Sequence, residues 1–122
     1  MENYETAAKL FKALMHPARL EILEILRNGE ECVCHLEAAL GYRQAYISQQ
    51  LSVLRDAGFV QVRRDGWNIF YRVIRPQVYA VIDAAQGMTG SARAAARRKA
   101  ERPAPLKNCS CPRCSATEPV AA

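Results

Sequence analysis

Residues 43–73, RQAYISQQLSVLRDAGFVQVRRDGWNIFYRV, change their hydrophobic period halfway along. In the first half, Ile47, Leu51 and Leu54 are spaced four and three residues apart. This spacing predicts an amphipathic helix over 43–56, with an Ala-Gly pair behind it as the stop signal. The second half loses this period and becomes rich in β-branched and aromatic residues, which indicates strands.

Two strands are predicted in that second half, over residues 59–64 and 67–73. Asp65-Gly66 lies between them, and Asp-Gly between such runs is a strong signal for a β-hairpin because both central residues of the favoured turn need positive φ. The stretch therefore predicts a helix followed directly by a hairpin.

Four more helices are predicted around this unit. Apolar residues recur at helical spacing in each of them, and proline or glycine marks most of the boundaries. The predicted helices lie around residues 7–14, ended by His16-Pro17; around 20–26, ended by Asn28-Gly29; over 31–40, ended by Gly41; and from about 78 to 85, after Arg75-Pro76.

Length and composition fit one small domain with a tail. The chain has 122 residues, is 50% hydrophobic and contains no apolar run long enough to cross a bilayer. We expect a mainly α winged helix-turn-helix domain over residues 1–90 and a basic, flexible, proline-containing tail over 91–122. A domain of this size gains from the extra burial of a homodimer. The N-terminus lacks a signal-peptide pattern, which predicts a cytoplasmic protein with no membrane partner.

Positive charge is concentrated in the middle and at the end of the chain. The net charge is +5, yet residues 1–40 carry four Lys or Arg against seven Asp or Glu, and residues 41–76 carry six against two. A basic surface is typical of nucleic-acid binding, although a solvated charged face accounts for it equally well.

The predicted helix over 43–56 has the polar face of a DNA-reading helix. A second helix after a glycine turn can enter the major groove, where glutamine pairs with adenine and arginine with guanine or phosphate. Its candidate DNA-binding residues are Arg43, Gln44, Tyr46, Ser48 and Gln49, with Gln50 on the same polar face.

The hairpin supplies the candidate wing. Arg63 and Arg64 precede its turn and Arg72 follows it, so its charges can hold the DNA backbone or enter the minor groove. Trp67, just past the turn, is a candidate for stacking or for a sugar contact; a half-buried aromatic residue is the alternative.

Five cysteines, Cys32, Cys34, Cys109, Cys111 and Cys114, predict metal binding or redox chemistry in a reducing compartment. Cys32 and Cys34 lie near the start of the predicted third helix, where the backbone dipole favours thiolates. Residues i and i+2 of a regular helix point about 200° apart, so one ion can bind both only if the first turn is distorted. Such a distortion would strain the support of the DNA-reading helix.

The tail motif NCSCPRCS, residues 108–115, offers three further thiols in a C-x-C-x-x-C pattern. Two thiolates are too few for zinc or cadmium, which prefer four ligands, or for a trivalent metalloid, which takes three. Either the tail completes a mixed site with Cys32 and Cys34, within or across subunits, or it forms its own trigonal site. We favour the mixed site.

Three stretches together resemble the ArsR/SmtB family of metal(loid)-responsive winged-helix repressors: LFKALMHPARLEILEIL, GEECVCHLEAALGYRQAYISQQLSVLRDAGFV and RRDGWNIFYRV. The resemblance covers residues 4 to about 87. It implies a five-helix domain with one hairpin that forms a homodimer through its first and last helices. It also implies a repressor that sits on palindromic double-stranded operator DNA until an inducer binds. In the related arsenic and cadmium sensors Cys-Val-Cys is the inducer site, which falls on Cys32 and Cys34.

Two departures from the family pattern refine the expected inducer. His35 stands where the family usually has aspartate, and a lone helical histidine is more often structural than a ligand. The last helix has no histidine near Asp83, so the zinc and nickel site of some relatives is not expected. Soft ions remain: trivalent arsenic as arsenite, or cadmium or lead, with no organic cofactor.

Two other functions compete with this one. A thiol redox or persulfide sensor of the same fold would use a cysteine pair without a metal. A metal-trafficking protein could use the CSCPRC tail, but it would have no use for residues 43–73. We do not expect an enzyme, because Cys34 and His35 are adjacent instead of forming a nucleophile with an oriented base, and no phosphate-binding glycine loop is present.

Overall fold

Residues 2–90 are described by the computed structural model, and eight elements follow one another in this part of the chain. The predicted five helices and hairpin are confirmed, and their order is that of a winged helix-turn-helix domain. The elements are α1 (Glu2–Leu14), α2 (Pro17–Leu26), β1 (Glu31–Cys32), α3 (Val33–Leu40), α4 (Gln44–Asp56), β2 (Val60–Asp65), β3 (Asn68–Val73) and α5 (Gln77–Met88).

The core lies where α2, α3 and α4 meet the sheet. The predicted apolar stripe of α4 is confirmed, because its three members have no exposed surface, and α5 adds Val78 and Ile82. Leu40, the last residue of α3, is only partly buried. Full burial of one such side chain contributes about 1.5–3 kcal/mol. Within residues 2–90, the aliphatic residues with no exposed surface are Ile22, Leu23, Leu36, Ile47, Leu51 and Leu54.

A glycine turn joins α3 to α4. Gly41 has φ +75° in the left-handed region, and its N–H donates to the carbonyl oxygen of Glu37 at 2.9 Å. This is the usual helix end that glycine allows, since it has no Cβ to clash there. The turn sets α4 across α3 with its polar side outward.

The structure corrects the sequence prediction for residues 31–32, which add a strand to the predicted hairpin. These residues form β1 and are not the first turn of α3, which begins at Val33. β1 pairs antiparallel with β3, with Cys32 opposite Phe70, and the sheet order is β1-β3-β2. The long-range hydrogen bonds to β3 and the burial of both residues, each 1% exposed, outweigh the local helical pattern.

The hairpin turn is shifted by one residue from the prediction. Asp65 pairs with Asn68, so the two-residue loop consists of Gly66 and Trp67. Gly66 has φ +64° and no non-glycine residue among those described has positive φ. Glycine with positive φ followed by a residue with negative φ is the pattern of a type II′ turn, which matches the twist of the strands.

A buried arginine fastens α5 to α2. Arg27, with its side chain 3% exposed, donates to Asp83 at 2.7 Å and to Glu24 at 2.8 Å, and it lies over the ring of Tyr79 at 4.5 Å. Burial alone would lower the pKa of Arg27, but the two carboxylates outweigh it and raise the pKa. Burial also raises the pKa of Tyr79, whose hydroxyl donates to the carbonyl oxygen of Leu23 at 2.6 Å.

None of the five helices within residues 2–90 combines the length and apolarity that a membrane span needs.

Candidate DNA-binding surface and thiol site

The solvent face of α4 carries four of the predicted DNA contacts. Arg43, Gln44, Ser48 and Gln49 are all exposed. Arg43 is the N-cap residue of α4 and its side chain makes no cap hydrogen bond. These side chains therefore face solvent, as major-groove recognition requires.

Gln50 is not part of this surface. It is only 5% exposed, and its Oε1 accepts a hydrogen bond from Nε of Arg19 at 2.8 Å. From the sequence we predicted that Gln50 lies on the polar face of this helix. It lies three residues after Ile47 and four before Leu54, so the helical period alone could have placed it on the buried side.

Tyr46 lies at the edge of the exposed face. It is half-buried, and its hydroxyl lies 3.3 Å from Nε2 of His16. The ring of Tyr42 meets it edge-on at 5.2 Å between centroids. The ring and the hydroxyl of Tyr46 are thus held in place by these neighbours.

Arg63 on the wing is engaged within the protein. Its guanidinium donates to the carboxylate of Glu30 through Nε at 3.0 Å and Nη2 at 2.6 Å, and it lies over the ring of Phe70 at 4.6 Å. The hydrogen bond from Arg63 lowers the pKa of Glu30, so this carboxylate stays charged at neutral pH. Any phosphate contact by Arg63 must compete with this pair.

Arg64 and Trp67 are two exposed residues at the tip of the wing. Arg64 is exposed, and Trp67, on the turn itself, is 100% exposed. The expected alternative of a half-buried Trp67 is therefore wrong. Arg72 is also exposed but donates from Nη2 to Oε1 of Gln61 at 2.7 Å across the hairpin.

Cys32 connects the sheet to α3. Its Sγ is the N-cap acceptor of α3 and receives a hydrogen bond from the backbone N–H of His35 at 3.3 Å. Cys32 is buried against Phe70, and Cys34, half-buried, packs against this pair.

His35 is a buried structural residue. It is 2% exposed, and its Nδ1 lies 3.7 Å from Oε1 of Glu31, which is 1% exposed. This position agrees with the structural interpretation of the lone histidine.

The described residues alone do not assemble a complete metal site. Within residues 2–90, no three His, Cys, Asp or Glu side chains are grouped so that they could hold an ion. The predicted further ligands, Cys109, Cys111 and Cys114, lie outside the described residues. Cys34 packs against the cluster of Cys32 and Phe70, and a metal site that uses the two thiols, alone or with the tail, stays a prediction.

Comparison with known proteins identifies the family. Residues 16–62 match the family model described as "Bacterial regulatory protein, arsR family". The "Biofilm growth-associated repressor" of Agrobacterium fabrum is 48% identical over 85 residues, which cover 69% of this chain and 73% of that protein. The chain belongs to the ArsR family. The crystal structure of Rv0081 from Mycobacterium tuberculosis matches this ArsR-family chain with a TM-score of 0.66 and 36% identity, covering 82% of the chain and 99% of Rv0081.

Two further relatives of this ArsR-family chain carry informative names. The homodimeric winged helix-turn-helix DNA-binding domain of Mb0332 from Mycobacterium bovis matches with a TM-score of 0.65 and 29% identity, over 73% of the chain and 82% of that domain. The "Probable mercury resistance operon repressor" of Streptomyces lividans is 41% identical over 78 residues, covering 61% of the chain and 59% of the relative. Winged helix-turn-helix regulators bind DNA. The chain is thus a transcriptional regulator, a class of protein that is distinct from enzymes.

Proposed function

We propose that this ArsR-family chain is a homodimeric repressor that binds palindromic operator DNA through α4 and the wing. Arsenite, or another soft ion such as cadmium or lead, binds the thiolates of Cys32 and Cys34 and releases the DNA. The observation that supports this most is the position of Cys32, which ends one strand of the wing sheet and caps the helix that packs on α4.

The first route from the thiols to the DNA runs through α3. Binding of an ion removes the Sγ of Cys32 from its hydrogen bond with the N–H of His35, which leaves the start of α3 without its cap. Loss of an N-cap commonly costs about 1 kcal/mol of helix stability. α3 packs on α4, and Leu36 of α3 belongs to the core that they share, so a shift of α3 displaces α4, the proposed recognition helix.

The second route runs through the wing. β1 is hydrogen-bonded to β3, and Glu30, the residue before β1, holds Arg63 of β2. A change of backbone at Cys32 therefore also loosens the strand that carries the wing. The sequence prediction included the first route alone, because it placed Cys32 within a helix.

The tail thiols complete the site in this proposal. A trivalent metalloid takes three thiolates, and a segment of the same chain reaches a site at high effective concentration. In this proposal residues 91–122 form a tail that donates Cys109, Cys111 or Cys114. Residues 1–90 form the DNA-binding and dimerisation domain. The mercury-resistance name of one relative supports a thiophilic inducer.

Dimerisation is supported by an apolar groove between α1, α2 and α5. The groove has a volume of about 1050 Å³, and large apolar side chains at and near it stay exposed. Exposed apolar patches of this kind mark interfaces, and one structural neighbour is homodimeric. The exposed apolar side chains on α1 and α5 or beside them are Tyr4, Leu10, Phe11, Met15, Val81 and Met88.

Titration with arsenite tests this function. The reduced full chain should develop an ultraviolet sulfur-to-arsenic absorption band with a stoichiometric end point, and a bound duplex should be released over the same range. A variant with serine at all three tail cysteines should lose affinity for arsenite if the site is mixed. Oxidant-driven release with no stoichiometric band would instead support the redox sensor, for which the accessible Cys34 is the reactive candidate.

Trp67 gives a direct test of the wing. It is the single tryptophan of the chain and is fully exposed, so its fluorescence reports one site. Binding of duplex DNA should protect its emission from acrylamide quenching, and Trp67→Ala should weaken binding by about tenfold, the scale of one aromatic contact. Unchanged quenching on a saturating duplex would show that the wing tip stays away from DNA.

A further inference from the structure

Two residues at the start of α2 hold the recognition helix from behind. His16 and Arg19 are three residues apart, and each contacts α4, at Tyr46 and Gln50 respectively. Tyr46 and Gln50 are four residues apart and therefore lie on the same side of α4. We call His16 and Arg19 the bracket.

Arg19 joins three helices with one guanidinium group. Its Nε donates to Oε1 of Gln50 at 2.8 Å, and its Nη1 donates to the carbonyl oxygens of Lys12 at 3.3 Å and Ala13 at 3.2 Å. The last carbonyls of a helix have no partner within it, so Arg19 satisfies the end of α1 while it anchors α4. Only the planar fork of arginine serves several such acceptors at fixed angles.

His16 forms the second contact in a defined tautomer. Its Nδ1 accepts a hydrogen bond from the N–H of Ala18 at 3.2 Å, as the N-cap of α2. In the neutral ring the proton is then on Nε2, which donates to the hydroxyl oxygen of Tyr46 at 3.3 Å. The cap of α2 thus also fixes a side chain of α4.

The bracket connects α4 to the helix that we place in the dimer interface. α1 exposes Phe11 just before the two carbonyls that Arg19 holds, and Met15 is exposed directly after the helix; both line the apolar groove with α5. If a partner subunit fixes the position of α1, Arg19 and His16 therefore transmit that position to α4. Gln50 is buried, so its contact with Arg19 serves this connection and not DNA readout.

We propose that the bracket sets the separation and angle of the two recognition helices in the dimer, and so the half-site spacing that the dimer accepts. Arg19 and His16 are positioning residues in this view. The inference rests on the proposed dimeric operator binding. One extra base pair between half-sites rotates one of them by roughly 35° about the DNA axis. A rigid bracket makes that rotation costly, whereas a loose one lets α4 adjust.

Selection of duplexes from a randomised pool tests the proposal on reduced full-length protein. The wild-type chain should enrich paired half-sites with a single separation. Arg19→Lys should enrich the same half-sites at several separations. Gln50→Leu, a second variant that leaves the hydrogen bonds of Arg19 to the end of α1 intact, should do the same. Insertion of one base pair should weaken wild-type binding by roughly 100-fold and weaken binding by the two variants by less than about tenfold.

Ile22→Val is the matched control. Ile22 lies on α2, the helix that carries Arg19, and its side chain has no exposed surface, so the change loosens the core without removing a hydrogen bond of the bracket. Thermal unfolding should show that this variant is less stable than the wild type, while its selected separation stays that of the wild type. Broadened spacing in Ile22→Val would mean that general loosening, and not the bracket, controls spacing.

The selection experiment distinguishes a failure of this inference from a failure of the proposed function. A single separation retained by both Arg19→Lys and Gln50→Leu would overturn the role of the bracket while the repressor proposal stands. A wild-type pool with no paired half-sites would contradict palindromic operator binding and the inference with it.

Discussion

Cys34→Ser is expected to abolish release of DNA by arsenite while the affinity of the inducer-free protein for its operator changes by no more than about twofold. Cys34 is half-buried and lies beside Cys32, away from the exposed face of α4. The arsenite concentration for half-release should rise by more than roughly 100-fold, since even residues that only support metal ligands commonly change affinity 10- to 100-fold. Anisotropy of a labelled duplex, titrated with arsenite under reducing conditions, measures both quantities.

Cys32 needs a pair of variants because it has two roles. Cys32→Ser replaces the thiol with a hydroxyl that can still accept from the N–H of His35, so the cap of α3 is kept. Cys32→Ala removes the cap as well, which costs about 1 kcal/mol of stability. Both variants should lose release by arsenite. Cys32→Ala alone should unfold at lower temperature and bind the operator more weakly, because it lacks the cap whose loss displaces α3 and α4. If Cys32→Ser or Cys34→Ser still releases DNA at the arsenite concentration that works on the wild type, this pair of thiols is not the sensor.

The sequence was sufficient for the parts of the fold that depend on local pattern. The spacing of Ile47, Leu51 and Leu54 predicted α4, and Gly41 predicted the turn before it. The hairpin followed from its composition and from Asp65-Gly66. In each case neighbouring residues decide the backbone, so a single sequence contains the information.

The parts of the fold that were predicted wrongly depend on how the strands pair. Residues 31–32 became a strand because β3, almost forty residues later, offers an edge to pair with. The hairpin turn moved by one residue because the strand register was extended to the pair Asp65–Asn68. Neither contact leaves a trace in the local hydrophobic period.

The candidate site was predicted in the same uneven way. The exposed residues of α4 were found because they oppose an apolar stripe, and the thiols because cysteines are rare and paired. The ion pair between Arg63 and Glu30 could not be foreseen, since these residues are far apart in sequence and each fits a solvated surface. Gln50 was placed with the DNA contacts by its polarity, although its spacing from Ile47 and Leu54 indicated burial.

Gln44→Ala and Gln49→Ala are expected to remove sequence preference from DNA binding. Both side chains are exposed on α4 and can pair with base edges in the major groove. Loss of one such contact costs about 1–3 kcal/mol of discrimination, so each variant should lose roughly tenfold or more in affinity for the selected operator, and the double variant roughly 100-fold or more. The ratio of affinities for the operator and for a scrambled duplex measures this effect.

Gln77→Ala is the matched control for these two variants. Gln77 is an exposed glutamine at the start of α5 and lies outside α4 and the wing. Its replacement should leave the ratio unchanged. The dependence of affinity on salt should also stay the same in Gln44→Ala and Gln49→Ala, because neutral side chains release no counterions from phosphate. An equal loss on operator and scrambled duplexes, or a loss in Gln77→Ala, would mean that this face of α4 does not read bases.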